Sequence, residues 1–159
     1  MITLTATDHV GNQNTCVANV NVQDTTAPTA VCMDVTIQIN EMGFASLDIT
    51  DVDGGSFDNC GILSSVLDVD TFTCEELNGN QVTLIVTDIN GNVDSCSANV
   101  TVEDAVAPVP VCQNVTVYLD NNGNASVAGG DIDGGMYDNC DVDTLLAGPS
   151  NFGFDDTGT

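Results

Sequence analysis

Residues 81–102, QVTLIVTDINGNVDSCSANVTV, decide the fold. Gln81–Thr87 and Ser95–Val102 are rich in β-branched residues, and Ile89-Asn90-Gly91-Asn92 between them is a turn. The stretch therefore reads as a β-hairpin. Working outward, Val31–Ile39 alternates inward Val35, Ile37 and Ile39 with outward Asp34, Thr36 and Gln38, the period-2 pattern of a half-buried strand. The clusters Asn40-Glu41-Met42-Gly43 and Asp120-Asn121-Asn122-Gly123 are turns leading into strands over Ala45–Ile49 and Ala125–Ala128. No segment has a helical period.

The hairpin is not unique. Thr7-Asp8-His9-Val10-Gly11-Asn12 recurs as Thr87-Asp88-Ile89-Asn90-Gly91-Asn92, and Asp24-Thr25-Thr26-Ala27-Pro28 as Asp104-Ala105-Val106-Ala107-Pro108. Val31-Cys32 recurs as Val111-Cys112, and Asp58-Asn59-Cys60 as Asp138-Asn139-Cys140. Asp51-Val52-Asp53-Gly54-Gly55 recurs as Asp131-Ile132-Asp133-Gly134-Gly135, and every offset is 80 residues. The likeness fades beyond Cys60 and Cys140, where Phe72 and Phe152 still correspond. Such a period marks a repeat architecture. With the unit starting at the Pro28 linker, residues 25–104 form one complete repeat. Residues 1–24 supply the C-terminal strands of a preceding or donor repeat, and 105–159 the N-terminal part of the next. About six or seven short strands per unit, with turns every 8–12 residues, match a small Ig-like sandwich. The expected fold is all-β, built of tandem Ig-like β-sandwich repeats of 80 residues.

Composition narrows the function. The 159 residues hold 24 acidic side chains, one histidine, and no lysine or arginine, for a formal charge of −24. Nucleic acid and anionic membranes need a basic face, so neither is a partner. Divalent cations are the natural one, because uncompensated charge opposes compaction. The 42% hydrophobic content argues for a folded rather than a disordered chain. Seven cysteines without a C-x-x-C pair point to disulfides in an oxidising, extracellular compartment rather than to zinc. No apolar run is long enough to span a membrane. The start, Met-Ile-Thr-Leu-Thr, has no secretion signal, so Met1 is expected not to be the natural N-terminus but to open a segment of something longer. The lack of lysine also excludes Lys–Asn isopeptide staples. His9 is the one general-base candidate, its counterpart is Ile89, and no nucleophile stands with a base and an orienting partner. The chain is expected not to be an enzyme.

The motifs Asp58-Asn59-Cys60, Val86-Thr87-Asp88 with Asn90-Gly91-Asn92 and Ser95-Cys96, and Val100-Thr101-Val102-Glu103-Asp104 before Ala107-Pro108 resemble hyalin-type (HYR-like) repeats. These are Ig-like modules of long secreted and cell-surface proteins, including many from bacteria. The likeness covers the chain up to the divergent Asp141–Thr159, and it implies an adhesive or stalk-forming role. In such a sandwich the first and last strands run parallel and adjacent, so the expected pairing is Cys32–Cys96 and, by elimination, Cys60–Cys74. A Cys16–Cys32 pairing, folded back across the Pro linker, is the alternative. Under the first scheme Cys16 and Cys112 are complementary halves, since Cys112 needs the residue 64 positions on, where Cys16 of a following copy falls. Cys140 finds Phe154 at its partner position.

Asp51, Asp53 and Asp58, repeated as Asp131, Asp133 and Asp138, place three carboxylates on a glycine-bent loop. Hard oxygen donors on flexible backbone suit Ca2+, although Asp, Asn and Gly also serve simply as turn formers. Asp24 and Asp104 stand at the joints, with Asp88 in the neighbouring turn, where calcium could bridge units. Asn99, Asn114 and Asn124 begin N-glycosylation triplets, and Thr25 and Thr144 follow aspartates as in an O-glycosylation consensus of some bacterial secreted proteins.

The leading expectation is a structural subunit or segment of an extracellular filament or surface stalk. Its head-to-tail Ig-like repeats would be held by disulfides and calcium, either in one continuous chain or by strand complementation between copies. The alternatives are an adhesin or carbohydrate-binding module of a larger cell-surface protein, and an accessory domain of a secreted enzyme. The absence of tryptophan weakens a sugar platform.

Overall fold

A computed structural model describes residues 1–158, and Thr159, the last residue of the 105–159 segment, lies outside them. The fold is all-β with a few single helical turns. β1 (Ile2–Thr7) and β2 (Gln13–Ala18) form an antiparallel hairpin. The main sheet lies within residues 25–104, in the order β3 (Val35–Ile39), β8 (Val93–Asp104), β7 (Asn78–Asp88), β5 (Ile62–Leu67). β4 (Phe44–Ser46) pairs with β6 (Thr71–Thr73) in a second, two-stranded sheet. The final pair is β9 (Ala125–Ser126) with β10 (Asn151–Phe152).

β7 and β8 are the longest strands because their sequence sustains alternation. Val82, Leu84 and Val86 of β7 and Ala98, Val100 and Val102 of β8 are buried, while the residues between them are partly or wholly exposed. They pack with Ile39, Ala45, Leu47, Val52 and Phe72, so side chains of both sheets meet in one apolar core. The 88–92 turn reverses the chain at Gly91, whose φ of +91° favours glycine. The Asp88 carboxylate accepts hydrogen bonds from the backbone N–H groups of Asn90 and Asn92, both 2.8 Å, which closes the turn from inside. β3 runs parallel to β8, with Val35 opposite Val100 and Ile39 opposite Asp104.

The strand expected over Ala45–Ile49 stops at Ser46, and Ile49–Val52 is one turn of α-helix (α1). The Asp48 backbone N–H donates to Asp51 Oδ2 at 3.0 Å, and fully buried Val52 anchors the turn. A four-residue helix is too short for periodicity to reveal. The strand expected over Ala125–Ala128 is likewise shortened to Ala125–Ser126, and a 3-10 turn follows at Gly129–Asp131. Further 3-10 turns occupy Cys74–Glu76 and Phe154–Asp156.

Local geometry recurs at the 80-residue offset. The isolated bridges Thr29↔Phe57 and Cys32↔Asp53 return as Val109↔Tyr137 and Cys112↔Asp133. The β1–β2 register, Ile2↔Ala18 to Thr7↔Gln13, is that of Val82↔Ala98 to Thr87↔Val93. No helix among the described residues is long and apolar enough to cross a membrane.

Candidate functional site

The groups singled out by the sequence converge on the two linkers that follow the hairpins. At the first, Asp24 Oδ1 accepts from the Thr26 backbone N–H at 3.0 Å and Asp24 Oδ2 from the Asn90 side-chain amide at 3.2 Å. The Asn92 amide spans the linker, donating to Asp88 Oδ2 (2.7 Å), the Thr26 carbonyl (3.1 Å) and the Asp24 carbonyl (3.4 Å). The β7–β8 turn thus holds the chain that enters its own segment, residues 25–104. Asp88, completely buried, is the hub. Burial pulls its pKa upward, but the Asn92 side chain and the backbone N–H groups of the turn outweigh it and hold the carboxyl below the usual aspartate value.

Asp24, Asp58 and Cys60 present ligand atoms within 4.8 Å of one another. Asp58 Oδ2 accepts from the backbone N–H groups of Cys60 (2.7 Å) and Gly61 (2.9 Å), while its Oδ1 is buried without a hydrogen-bond partner. The Thr26 N–H first, then Cys60, lower the Asp24 pKa. The hydrogen bond to Asp24, followed by burial and the charges of Asp24, Asp58 and Asp88, raises that of the Cys60 thiol. Cys60 is therefore a protonated thiol and a weak nucleophile at neutral pH.

The second linker repeats the aspartate contact with the backbone N–H two residues on, but its side-chain amide comes from Asn139, and it carries one further change. Asp104 Oδ1 accepts from the Val106 backbone N–H at 2.9 Å and from the Asn139 side-chain amide at 3.1 Å. That amide also reaches the Asn40 carbonyl at 3.1 Å. Asp138 Oδ2 accepts from the N–H groups of Cys140 and Asp141, whereas Asp138 Oδ1 and Asn139 Oδ1 are buried without partners. The change is covalent. Cys140 is disulfide-bonded to Cys74, joining the 3-10 turn of one segment to the Asp138-Asn139-Cys140 loop of the next. Gly43 accommodates the contact, since at φ +82° an added Cβ would lie 2.9 Å from the Asn139 carbonyl oxygen.

This corrects the expected Cys60–Cys74 bridge. Elimination within one unit presumed that each unit closes its own cysteines, and the disulfide crosses the joint instead. Cys60, the counterpart of Cys140, is unpaired and exposed, as are Cys16 and Cys112. Cys32 is bonded to Cys96, the pairing expected from parallel neighbouring strands, with Cα atoms 5.7 Å apart, and the alternative Cys16–Cys32 pairing does not form.

The other carboxylates have local work. Asp53 Oδ1 accepts from the N–H groups of Gly55 and Ser56, and Asp133 Oδ1 from those of Gly135 and Met136. Asp51 and Asp131 each accept from the backbone N–H three residues earlier. These four are turn-closing groups, and among the described residues the one three-member ligand cluster pairs Asp58 with Asp24 rather than with Asp51 and Asp53. Asn114, Asn124, Thr25 and Thr144 are exposed. Asn99 is exposed too, but its amide and backbone N–H bind Asp34. Sequence reading missed Asn59 and Asn139 as joint residues, and the Asp-Asn-Cys recurrence was the signal.

No protein-family model, curated protein or solved structure matches the chain.

Proposed function

We propose that the chain is a structural, non-catalytic segment of an extracellular filament or stalk, built of head-to-tail Ig-like modules of the hyalin type. The observation that supports this reading is the second joint. A disulfide, the Asn139–Asp104 and Asn139–Asn40 hydrogen bonds and the close approach at Gly43 all act on one short linker. Modules on a free tether would remain mobile about it. Cross-joint fixation resists tension and bending, which suits a load-bearing array in a compartment where disulfides persist.

Calcium is the cation that fits the joints. Asp24 and Asp58 bring carboxylate oxygens within 4.8 Å of one another at the first joint, and the orphaned Oδ1 atoms of Asp58, Asp138 and Asn139 are hard donors without a proton to accept. Bound there, calcium would offset part of the −24 charge and brace the linker.

Electron microscopy of the native material tests the proposal. A strand of ~8 residues at about 3.3 Å each, with its loops, gives an axial repeat of roughly 35–45 Å per module. Regular fibres with that period, or twice it, are expected. Isolated globular particles without fibres would overturn the reading.

A further inference from the structure

Within residues 25–104 the main sheet ends on β5, whose far edge pairs with no strand among the described residues. Asp68 and Thr83 face each other just beyond β5. The Asp68 N–H donates to the Thr83 carbonyl at 3.1 Å, and the Thr83 N–H to Asp68 Oδ1 at 2.8 Å. Bonding alternates along an antiparallel pair, so Val66 also turns its N–H and C=O towards β7, while Ser65 and Leu67 turn theirs away from it. Such edges are ordinarily blunted by charge or proline, and β5, Ile-Leu-Ser-Ser-Val-Leu, has neither. Its one register shift, between Ile62 and Ser64, lies before that stretch. Apolar side chains stand bare along the strand, Leu63 at 66% exposed and Val66 at 51%. Beside it runs an open groove of about 380 Å³, walled by Leu47, Ile49, Val66 and Leu67 and flanked by Asp48 and Asp70. The Leu47 N–H donates to the Asp70 carbonyl at 2.8 Å, which ties the chain around Asp48 to that around Asp70.

We infer that the free edge of β5 and the groove beside it take an extended segment of a different protein, apolar at alternate positions and carrying a lysine or arginine. The segment adds as a strand beside β5 and exchanges backbone hydrogen bonds with Ser65 and Leu67. Side chains on its inward face fill the groove against Leu47, Ile49 and Leu67, and a cation among them meets Asp48 and Asp70. Charge selects this occupant. A second copy of the chain brings another acidic surface, with no lysine or arginine in it to offset those carboxylates. A basic segment turns the same carboxylates into an attraction and is steered towards them by the −24 charge. None of the groove's residues belongs to either linker, so the inference does not rest on the filament reading.

Nuclear magnetic resonance of the isotope-labelled full chain with a capped peptide, Thr-Lys-Thr-Val-Thr-Val-Thr-Lys-Thr, tests the inference. The lysines and valines of this probe share one face, and a lysine near each end suits either strand direction. At saturating peptide, hydrogen exchange of the Ser65 and Leu67 amides is expected to slow by about tenfold or more, with shifted signals confined to β5 and the groove. Glutamate in place of both lysines should leave the two amides unchanged. Ser65→Pro removes an outward N–H without taking a donor from the ladder to β7, and it should abolish the binding. Asp70→Asn keeps the edge intact and should weaken the lysine peptide by about two- to fivefold. If Ser65→Pro loses the dispersed β7–β8 signals of the folded module, Asp70→Asn decides alone. Shifts spread over the acidic surface and undiminished by either variant would overturn the inference, as would equal binding of the glutamate peptide or no slowing at Ser65 and Leu67. So would protection of those two amides in the chain alone as its concentration rises, which would make the edge a contact between copies.

Discussion

Asp88 shows how a turn residue becomes structural. Its type and its place before Asn90-Gly91-Asn92 are plain in the sequence, but its complete burial is not, because Asp in a turn is ordinarily solvated. The folded-state pKa lies below the ordinary value, so its contribution to stability is fully present above about pH 4, the unfolded aspartate value. It is lost as pH falls through the depressed folded value. Asp88→Asn would turn an acceptor of three hydrogen bonds into a group with two N–H donors facing the Asn92 amide. We expect a lower urea midpoint at pH 7 for the variant, and a gap to wild type that narrows as pH drops towards 2.5. A gap independent of pH would mean that the ionised carboxylate is not what matters.

Among the elements, the parallel contact of β3 with β8 carries the fold. The alternation in Val35–Ile39 and the β-branched runs around the 88–92 turn made these strands legible, and parallel neighbours place Cys32 beside Cys96. The bridge closes a loop of about 64 residues, worth about 4 kcal/mol by chain entropy. Cys96→Ser is expected to remove a comparable amount, read as a lower denaturant midpoint with a larger m-value, since the unfolded chain without the cross-link exposes more surface. That is a large share of the roughly 5–15 kcal/mol typical of a domain. Less legible were the short elements. In α1 and each 3-10 turn a carboxylate accepts from the backbone N–H three residues earlier, and buried Val52 anchors α1; such contacts leave no periodic trace over three or four residues.

Across the whole molecule the joints decide behaviour. With no lysine or arginine, the modules cannot be held by ion pairs with those side chains, and a disulfide and amide hydrogen bonds take that place. Cys140→Ser should leave residues 25–104 folded while exposing 105–158 to proteolysis, seen as a stable fragment in a limited digest. A calcium chelator should accelerate the same cleavage and lower the melting temperature, and digestion rates identical with and without chelator would remove calcium from the joints.

By itself the sequence determined the β-class, the hairpin and the 80-residue recurrence, because alternation, turn residues and identical spacing are local properties of the chain. Only the tertiary structure decided which cysteine Cys74 meets and which carboxylates cluster. Cys74 finds Cys140 from 66 residues away across a linker, and Asp58 faces Asp24 rather than Asp51 or Asp53. Those meetings depend on how one segment seats against the next. Contact across a joint is a matter of three-dimensional position, to which spacing along the chain is blind.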